Sequence, residues 1–318
     1  MWRYVARRVA TSIGMLVATS VIIFVVLRAL PGNPVITRLG ANSGVSPGEV
    51  ARLRRQLGLD EPIAVQYWHW IAGAVRGNFG RSFFSQFSVT QLIAQRLPAT
   101  LELTIASVLI TLILAVPAAV LGAVRRGGLL DRLGALLSSF GIALPPFVSG
   151  IILLVVFGVH LRLLPSAGYV AISTNLGQNL RHMVLPALTL SIAQAPLVFR
   201  YLRTQLIEEL SSAYARTAEG KGAPRRRVVF RHALRNALIP ALTMLGLIVG
   251  YALGGVVVVE YVFGIGGLGS LAITSATERD YAVLQSIVLL VSATFITVSL
   301  LVDLAVQALD PRLRGARS

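Results

Sequence analysis

Residues 9–27 read Val9-Ala-Thr-Ser-Ile-Gly-Met-Leu-Val-Ala-Thr-Ser-Val-Ile-Ile-Phe-Val-Val-Leu27, an uninterrupted stretch without a charged side chain. A spanning helix needs about 20 mostly apolar residues, so this stretch predicts a membrane-spanning helix behind the basic residues Arg3, Arg7 and Arg8. A signal peptide has an apolar core of only about 7–15 residues and a cleavage site of the small-x-small type, which does not follow here. We therefore expect a retained membrane anchor.

Five further apolar segments are long enough, or nearly so, to cross a bilayer. They cover residues 99–124, 133–159, 184–199, 237–259 and 282–308. Segment 184–199 is the shortest, and its Pro186, Gln194 and Pro196 predict either a kink or a helix that faces the bundle interior. A membrane β-barrel would instead show alternating segments of about ten residues. The sequence therefore predicts an all-α integral membrane protein with about six transmembrane helices, in a single domain that covers residues 1–318.

The composition is that of a chain dissolved in lipid. Hydrophobic residues make up 55% of the chain and charged residues only 13%, whereas a soluble protein averages about 25% charged residues. The net charge of +16 predicts cytoplasmic loops rich in Lys and Arg, and it does not require a nucleic-acid partner. Cysteine is absent, and no two of the four histidines have the spacing of a metal site. We expect no catalytic residue and no metal ligand.

The distribution of Lys and Arg predicts the orientation of the chain. With a cytoplasmic N-terminus, 18 of these residues fall in cytoplasmic segments and three, Arg162, Arg181 and Arg279, fall in the two short outside loops. The remaining eight lie in the long first outside segment, residues 28–98, whose length exempts it from the charge rule. Both chain termini are therefore predicted to be cytoplasmic.

Two short helices are predicted in the outside segment. The first covers Ser46–Leu57, with Ser46 as its N-cap. The second covers Ile63–Val75 and contains Trp68 and Trp70, whose rings favour the headgroup level of a membrane. We expect both helices to lie on the outer membrane face, and a dedicated binding site is the alternative.

The segment 203–236, between the fourth and fifth spans, is polar and basic. Ser212 is placed to cap a short helix, Tyr214–Glu219, which Gly220 or Gly222 would end. A compact cytoplasmic knob with small residues on its surface suits a groove on a partner protein. The alternative is an ordinary basic loop that only sets topology.

The same segment resembles a known motif. Tyr214-Ala-Arg-Thr-Ala-Glu-Gly-Lys-Gly222, followed by Arg231, His232, Arg235, Asn236 and Pro240, is similar to the EAA loop of permease subunits of binding-protein-dependent ABC importers, in the variant of the dipeptide, oligopeptide and nickel group. Tyr214 stands where the general pattern has its glutamate. Glu219 and Gly220 stand where the peptide group more often has other residues.

Stretches elsewhere in the chain resemble the same family. They are Leu30-Pro-Gly-Asn-Pro34, Gln56-Leu-Gly-Leu-Asp-Glu-Pro62, Val65-Gln-Tyr67, Arg76-Gly-Asn-Phe-Gly80, Arg96-Leu-Pro-Ala-Thr-Leu-Glu-Leu103, Val259-Glu-Tyr-Val-Phe263 with Gly267-Leu-Gly269, Arg279-Asp-Tyr281 and Leu309-Asp-Pro-Arg312. The resemblance therefore covers nearly the whole chain.

The resemblance implies a permease fold of the type I ABC importers and a role for the cytoplasmic loop. The implied coupling helix, which would dock into an ATPase subunit, comprises Tyr214, Ala215, Arg216, Thr217, Ala218, Glu219, Gly220, Lys221 and Gly222. The implied partners are a second homologous permease subunit, two cytoplasmic ATPase subunits that bind ATP and Mg, and an extracytoplasmic substrate-binding protein. The implied cargo is di- or oligopeptides, with nickel, glutathione or another small solute as alternatives.

The sequence also predicts that energy comes from another polypeptide. A phosphate-binding P-loop needs Gly-x-x-x-x-Gly-Lys followed by Ser or Thr, whereas Gly220-Lys221 is followed by Gly222. We therefore expect a transporter subunit and not an enzyme. A stand-alone secondary transporter or channel is one rival and a polytopic membrane enzyme is another. The scarcity of charges within the spans argues against the first, and the lack of clustered His, Asp and Glu argues against the second.

Five residues within the spans are candidates for a pore or a gate. Gly246, Gly250 and Gly254 recur every four residues of the fifth span, which permits close helix approach. The approach could serve packing within the subunit or a mobile interface along the pore. Gln194 is polar at mid-membrane depth and needs a partner, and Glu260 lies at the outer end of the fifth span, where it could contact substrate or a gate.

Overall fold

The computed structural model describes residues 2–29, 47–56, 58, 60–85 and 87–309. The helices, in chain order, are α1 (Trp2–Ala29), α2 (Pro47–Gln56), α3 (Ile63–Val75), α4 (Val89–Val124), α5 (Leu129–Ala143), α6 (Pro146–Leu153), α7 (Leu176–Leu210), α8 (Ala213–Gly220), α9 (Leu234–Val262), α10 (Leu268–Thr277) and α11 (Tyr281–Leu309). A π-helical segment, Leu154–His160, continues α6. A helical turn, Arg225–Arg227, and a second π-helical segment, Val228–Ala233, lead into α9.

Five helices of the described residues are long and apolar enough to cross a membrane. They are α1, α4, α7, α9 with its N-terminal extension, and α11. Helices α5 and α6 together are a sixth candidate, but they meet at an angle of 105°. The predicted class, an all-α protein with about six membrane-spanning helices, is confirmed.

The third predicted span, residues 133–159, is interrupted near its centre. Helix α5 ends at Ala143, and Leu144 and Pro145 adopt ψ angles of 117° and 140°, outside the helical region. Proline disfavours the helical conformation of the residue before it and lacks an N–H to donate. Two consecutive prolines, Pro145 and Pro146, therefore stop α5 and start α6 in a new direction.

The fourth predicted span, residues 184–199, is too short. Helix α7 has 35 residues, from Leu176 to Leu210, and it continues through Pro186 and Pro196. It packs against α4, α5, α6 and α9, and more than half of its most apolar stretch is buried inside the protein. Because neighbouring helices cover α7, it needs less apolar surface than a lipid-facing helix, and hydropathy therefore underestimates its length.

Helices extend into both predicted loop segments. Within the predicted outside segment 28–98, α4 begins at Val89, and within the predicted coupling loop 203–236, α7 continues to Leu210. Several predicted features lie outside the described residues. These are the Ser46 cap, the motif at residues 30–34 and the residues after Leu309.

Close packing of α5 on α7 depends on glycines. A Cβ atom at Gly141 would lie 2.6 Å from Pro196 Cγ and 2.8 Å from the carbonyl oxygen of Ile192. A Cβ atom at Gly134 would lie 2.5 Å from the Phe199 ring. The neighbour at Gly141 includes backbone, which cannot rotate away. The glycine therefore sets how closely the two helices approach.

We expect Gly141→Ala to destabilise the protein by about 1–3 kcal/mol through overpacking. Gly14→Ala on α1 is the matched control, because a Cβ atom there has no neighbour within 4 Å. Alanine also favours a helix over glycine, so the control is expected to be neutral or slightly stabilising. Thermal unfolding of the purified chain in detergent measures both changes. Equal melting temperatures for the two variants would contradict this packing.

Candidate coupling and transport site

Helix α8 forms a separate short segment at the basic end of the protein, between the ends of α7 and α9. Its Ala215 is completely buried against the rest of the chain, so this residue cannot contribute to an external contact. The exposed residues of α8 and the turn after it are Ala213, Arg216, Thr217, Glu219, Gly220, Lys221 and Gly222. The surface that α8 presents is therefore small, polar and basic.

A Schellman turn ends α8. The N–H of Ala223 donates to the carbonyl of Ala218 at 3.1 Å, and the N–H of Gly222 donates to the carbonyl of Glu219 at 2.9 Å. Gly222 has a φ angle of +80°, in the left-handed region that favours glycine. Of the two predicted ends, Gly222 makes the turn, and Gly220 lies within the helix.

The start of α8 agrees with the prediction in position but not in the hydrogen bond that Ser212 makes. Ser212 occupies the N-cap position, as expected, with an extended backbone. However, its hydroxyl does not cap α8, and it donates instead to the carbonyl of Glu209 in α7, at 2.6 Å. The serine therefore fastens the α7–α8 connection.

Tyr214 links α8 to the preceding span. Its phenol donates to the carboxylate of Glu209 in α7, and α8 also packs against the π-helical segment that leads into α9. Burial and the bond to Glu209 raise the pKa of Tyr214, so the phenol keeps its proton and remains a donor. The residue that replaces the glutamate of the general motif thus has a defined structural role.

An ion pair that the sequence did not reveal holds α5 at the same end. Arg203 of α7 binds both carboxylate oxygens of Asp131, and its Nη2 atom donates to Oδ2 at 2.7 Å. The N–H of Gly127 donates to the same carboxylate at 2.8 Å. A single acidic residue among the arginines of segment 125–132 was the available signal.

Glu260 lies at the opposite end of the protein and is fully buried. Its carboxylate accepts a hydrogen bond from the Thr100 hydroxyl at 2.6 Å and from the N–H groups of Gly269 and Ser270 at 2.7 and 3.0 Å. These N–H groups belong to the first turn of α10, where a helix favours negative charge. Glu260 therefore holds α10 against α4 and α9.

The glycines of the Gly267-Leu-Gly269 motif leave space for this carboxylate. A Cβ atom at Gly267 would overlap the carboxylate of Glu260, and one at Gly269 would overlap the backbone of Val257. Thr100 in turn accepts a hydrogen bond from the N–H of Leu268 at 2.8 Å. Two motifs that are 160 residues apart in sequence therefore form one structural unit.

Two other carboxylates fix loops at this end. Glu102 accepts hydrogen bonds from the Tyr169 phenol at 3.0 Å and from the Asn179 amide at 2.7 Å. Burial and this carboxylate raise the pKa of Tyr169 to about 12, so the phenol stays a donor. Asp280 accepts from the Ser82 hydroxyl and from the N–H of Phe83. The sequence did not indicate these connections.

The glycines of α9 divide between packing and an open cavity. A Cβ atom at Gly246 would meet Ser299 of α11 at 3.9 Å, and one at Gly250 would lie 2.6 Å from the Phe295 ring. Gly250 and Gly254 line an apolar cavity of about 800 Å³ between α1, α9 and α11. Packing within the subunit is therefore present at Gly246 and Gly250, and the mobile interface along the pore stays a prediction.

Gln194 is enclosed between α4 and α7. It is only 2% exposed, and its amide oxygen accepts a hydrogen bond from the Thr111 hydroxyl at 3.1 Å. The hydrogen-bond partner that we expected for this buried amide is thus a side chain of a neighbouring helix. The five candidate residues do not converge on one site, because Gln194 and Glu260 are buried between helices and only Gly250 and Gly254 line this cavity.

We expect Glu260→Ala to loosen α10, because the buried N–H groups of Gly269 and Ser270 would lose their acceptor. Each buried unsatisfied group costs about 1–3 kcal/mol. Glu260→Gln retains one amide oxygen and should have a smaller effect. Hydrogen exchange followed by mass spectrometry measures the loosening of α10. We expect faster exchange over residues 268–272 in Glu260→Ala. Exchange in Glu260→Ala at the wild-type rate would contradict the role of this carboxylate.

Comparison with known proteins agrees with this arrangement. Residues 111–315 match the family described as "Binding-protein-dependent transport system inner membrane component". Residues 1–104 match the family described as "Binding-prot-dependent transport system membrane comp, N-term". Together the two matches cover nearly the whole chain.

Several curated relatives align over almost their full length. A probable peptide ABC transporter permease protein of Sinorhizobium fredii is 38% identical over 311 residues, which are 98% of this chain and 99% of the relative. A putative peptide permease protein of Brucella suis is 40% identical over 318 residues, 99% of each chain. The glutathione transport system permease protein GsiC of Escherichia coli K12 is 40% identical over 314 residues, again 99% of each chain. The chain therefore belongs to the family of binding-protein-dependent transport system inner membrane components, the multi-pass permeases of ABC importers in the cytoplasmic membrane.

Proposed function

We propose that this chain forms, with a second homologous permease subunit, the membrane pore of an ATP-driven importer for di- or oligopeptides. Two cytoplasmic ATPase subunits bind ATP and Mg and dock on the α8 helices. An extracytoplasmic binding protein delivers the substrate to the opposite face. The permease contributes no catalytic residue to ATP hydrolysis, and it couples the closure of the ATPase subunits to alternating access.

The observation that supports coupling most directly is the attachment of α8. The helix presents an exposed basic surface, and Tyr214 binds it to α7 through Glu209. Because α8 also packs against the π-helical segment that leads into α9, a force on α8 would reach both neighbouring spans. Residues Tyr214–Gly222 thus combine an accessible surface with fixed contacts to the neighbouring helices. A loop that only sets topology would not need such contacts.

The substrate class rests on the relatives. Two of them are named peptide permeases, and a third is named for glutathione, which is itself a tripeptide. Short peptides are therefore the cargo that the similarity supports best. Glutathione itself, nickel or another small solute is the alternative. Membership of the permease family argues against a stand-alone channel or secondary transporter.

The transport path is proposed to follow the glycine face of α9. Gly250 and Gly254 line the cavity between α1, α9 and α11, and no Cβ atom at Gly254 would meet a neighbour within 4 Å. Small residues there let a facing helix move without side chains interlocking. Gln194 and Glu260 act as positioning residues, because each holds the elements around the path through buried hydrogen bonds.

Gly220→Trp tests docking on α8. A Cβ atom at Gly220 has no neighbour within 4 Å and the residue lies in the helix, so the change should leave this chain folded and obstruct a partner. Gly220→Ala is the matched control. We expect co-purification of the ATPase subunits and ATP-dependent peptide uptake to fall strongly for Gly220→Trp only. Wild-type uptake in Gly220→Trp would rule out α8 as the docking element.

Gly222 is less suitable for this test. Its φ angle of +80° means that any side chain there strains the turn itself. A loss of uptake in Gly222→Arg would therefore not separate docking from a local change in fold.

Tyr214→Phe tests coupling. The change removes the phenol that bonds to Glu209 and keeps the ring. A hydrogen bond to a charged group contributes about 1.5–3 kcal/mol. We expect the ATPase subunits to remain bound and the peptide taken up per ATP hydrolysed to fall several-fold. Tyr261→Phe is the control. Tyr261 lies at the other end of α9 and is 68% exposed. An unchanged ratio in Tyr214→Phe would contradict the role of Tyr214.

A further inference from the structure

Helix α3 has an unusual composition for a segment outside the spans. Its 13 residues, Ile63-Ala-Val-Gln-Tyr-Trp-His-Trp-Ile-Ala-Gly-Ala-Val75, include no Asp, Glu, Lys or Arg. Exposed charged residues flank it, with Asp60 and Glu61 before it and Arg76 after it. At 1.5 Å per residue the helix is roughly 20 Å long, which is too short to cross a hydrocarbon core of about 30 Å.

One face of α3 packs on α1 below the end of that span. The Phe24 ring lies 5.4 Å from the Tyr67 ring and 5.8 Å from the Trp70 ring, and the hydroxyls of Tyr67 and Ser20 are 2.8 Å apart. Ser20 and Phe24 precede Ala29, the last residue of α1, by about 13 and 8 Å along the helix axis. The contact therefore lies within the outer part of the span and not above it.

A second face of α3 is apolar and uncovered. Trp68 is 68% exposed and Val75 is 83% exposed. At about 100° per residue, Ala64, Trp68 and Val75 fall within about 40° of one another around the helix. A large aromatic ring and an aliphatic side chain are thus presented together, at the level of the outer part of α1.

The third edge of α3 is polar. Gln66 donates to the carbonyl of Glu61 at 2.7 Å, and His69 Nδ1 lies 3.3 Å from the carboxylate of Glu61. His69 follows Trp68 by one residue, so the two side chains point about 100° apart. The helix therefore has three faces. One packs on α1, one is apolar and exposed, and one is polar.

We propose that α3 is an interfacial helix whose Ala64–Trp68–Val75 face is embedded in the lipid leaflet opposite α8, at the boundary between headgroups and acyl chains. Tryptophan favours this boundary, since its ring is apolar and its N–H is polar. The depth of the contact with α1 selects lipid over a soluble protein as the occupant of this face. The proposal goes beyond the importer function and does not depend on it.

A single tryptophan moved by one position tests the proposal. Trp2→Phe and Trp70→Phe leave Trp68 as the only tryptophan, since the chain has three, and phenylalanine keeps an aromatic ring against Phe24. The matched variant adds Trp68→Phe and His69→Trp. Each full-length chain is reconstituted into nanodiscs of phosphatidylcholine and phosphatidylglycerol with or without brominated acyl chains, and fluorescence quenching by the brominated lipid and by aqueous iodide is measured.

We expect brominated lipid to quench the tryptophan at position 68 several-fold more than the tryptophan at position 69, and iodide to show the reverse order. Equal melting temperatures establish that both variants fold. Strong iodide quenching at both positions would place α3 in water and overturn the proposal. Protection of position 68 from both quenchers would show that protein covers this face, which would also overturn it.

Discussion

A membrane interior supplies no water, so a backbone N–H or C=O group freed at a helix end needs a partner from the protein itself. Most of this chain meets that constraint by forming long helices. Where the helices are interrupted, buried carboxylates supply acceptors. Glu260 receives the first amides of α10, Asp280 receives the amides before α4, and Asp131 receives the amide of Gly127. The irregular parts of the structure depend on these few side chains.

The interruptions are also the places where the protein can act on other molecules. Pro145 and Pro146 break a span at two positions that have no N–H to donate. At the basic end, the Schellman turn at Gly222 lets the chain reverse direction while α8 stays exposed. At the other end, Glu260 allows a short helix, α10, to pack among the spans. In the proposed importer, these breaks supply the docking surface and the path.

Much of the site was accessible from the sequence, and the reason is local. The short helix α8, with Ser212 at its N-cap position and Gly222 in the turn that ends it, follows from residue preferences within about ten residues of chain. The bond from Tyr214 to Glu209 was not accessible, because it joins two separate helices whose relative direction the sequence does not give. The same holds for the pair of Asp131 with Arg203, which is 72 residues away. Such contacts depend on how the helices pack against one another, and the spacing of residues along the chain does not predict that packing.

Hydropathy by itself determined that this chain is a bundle of about six spans, because lipid selects apolar helices whatever their arrangement. It also located the basic loop between the fourth and fifth spans and the charge-free helix α3. Only the tertiary structure decided that the third span bends at Pro145, that α7 extends over 35 residues, and that Glu260 is a buried acceptor for α10. The physical reason is that lipid solvates each helix separately, whereas bends, lengths and buried hydrogen bonds are set by the neighbours that a helix meets.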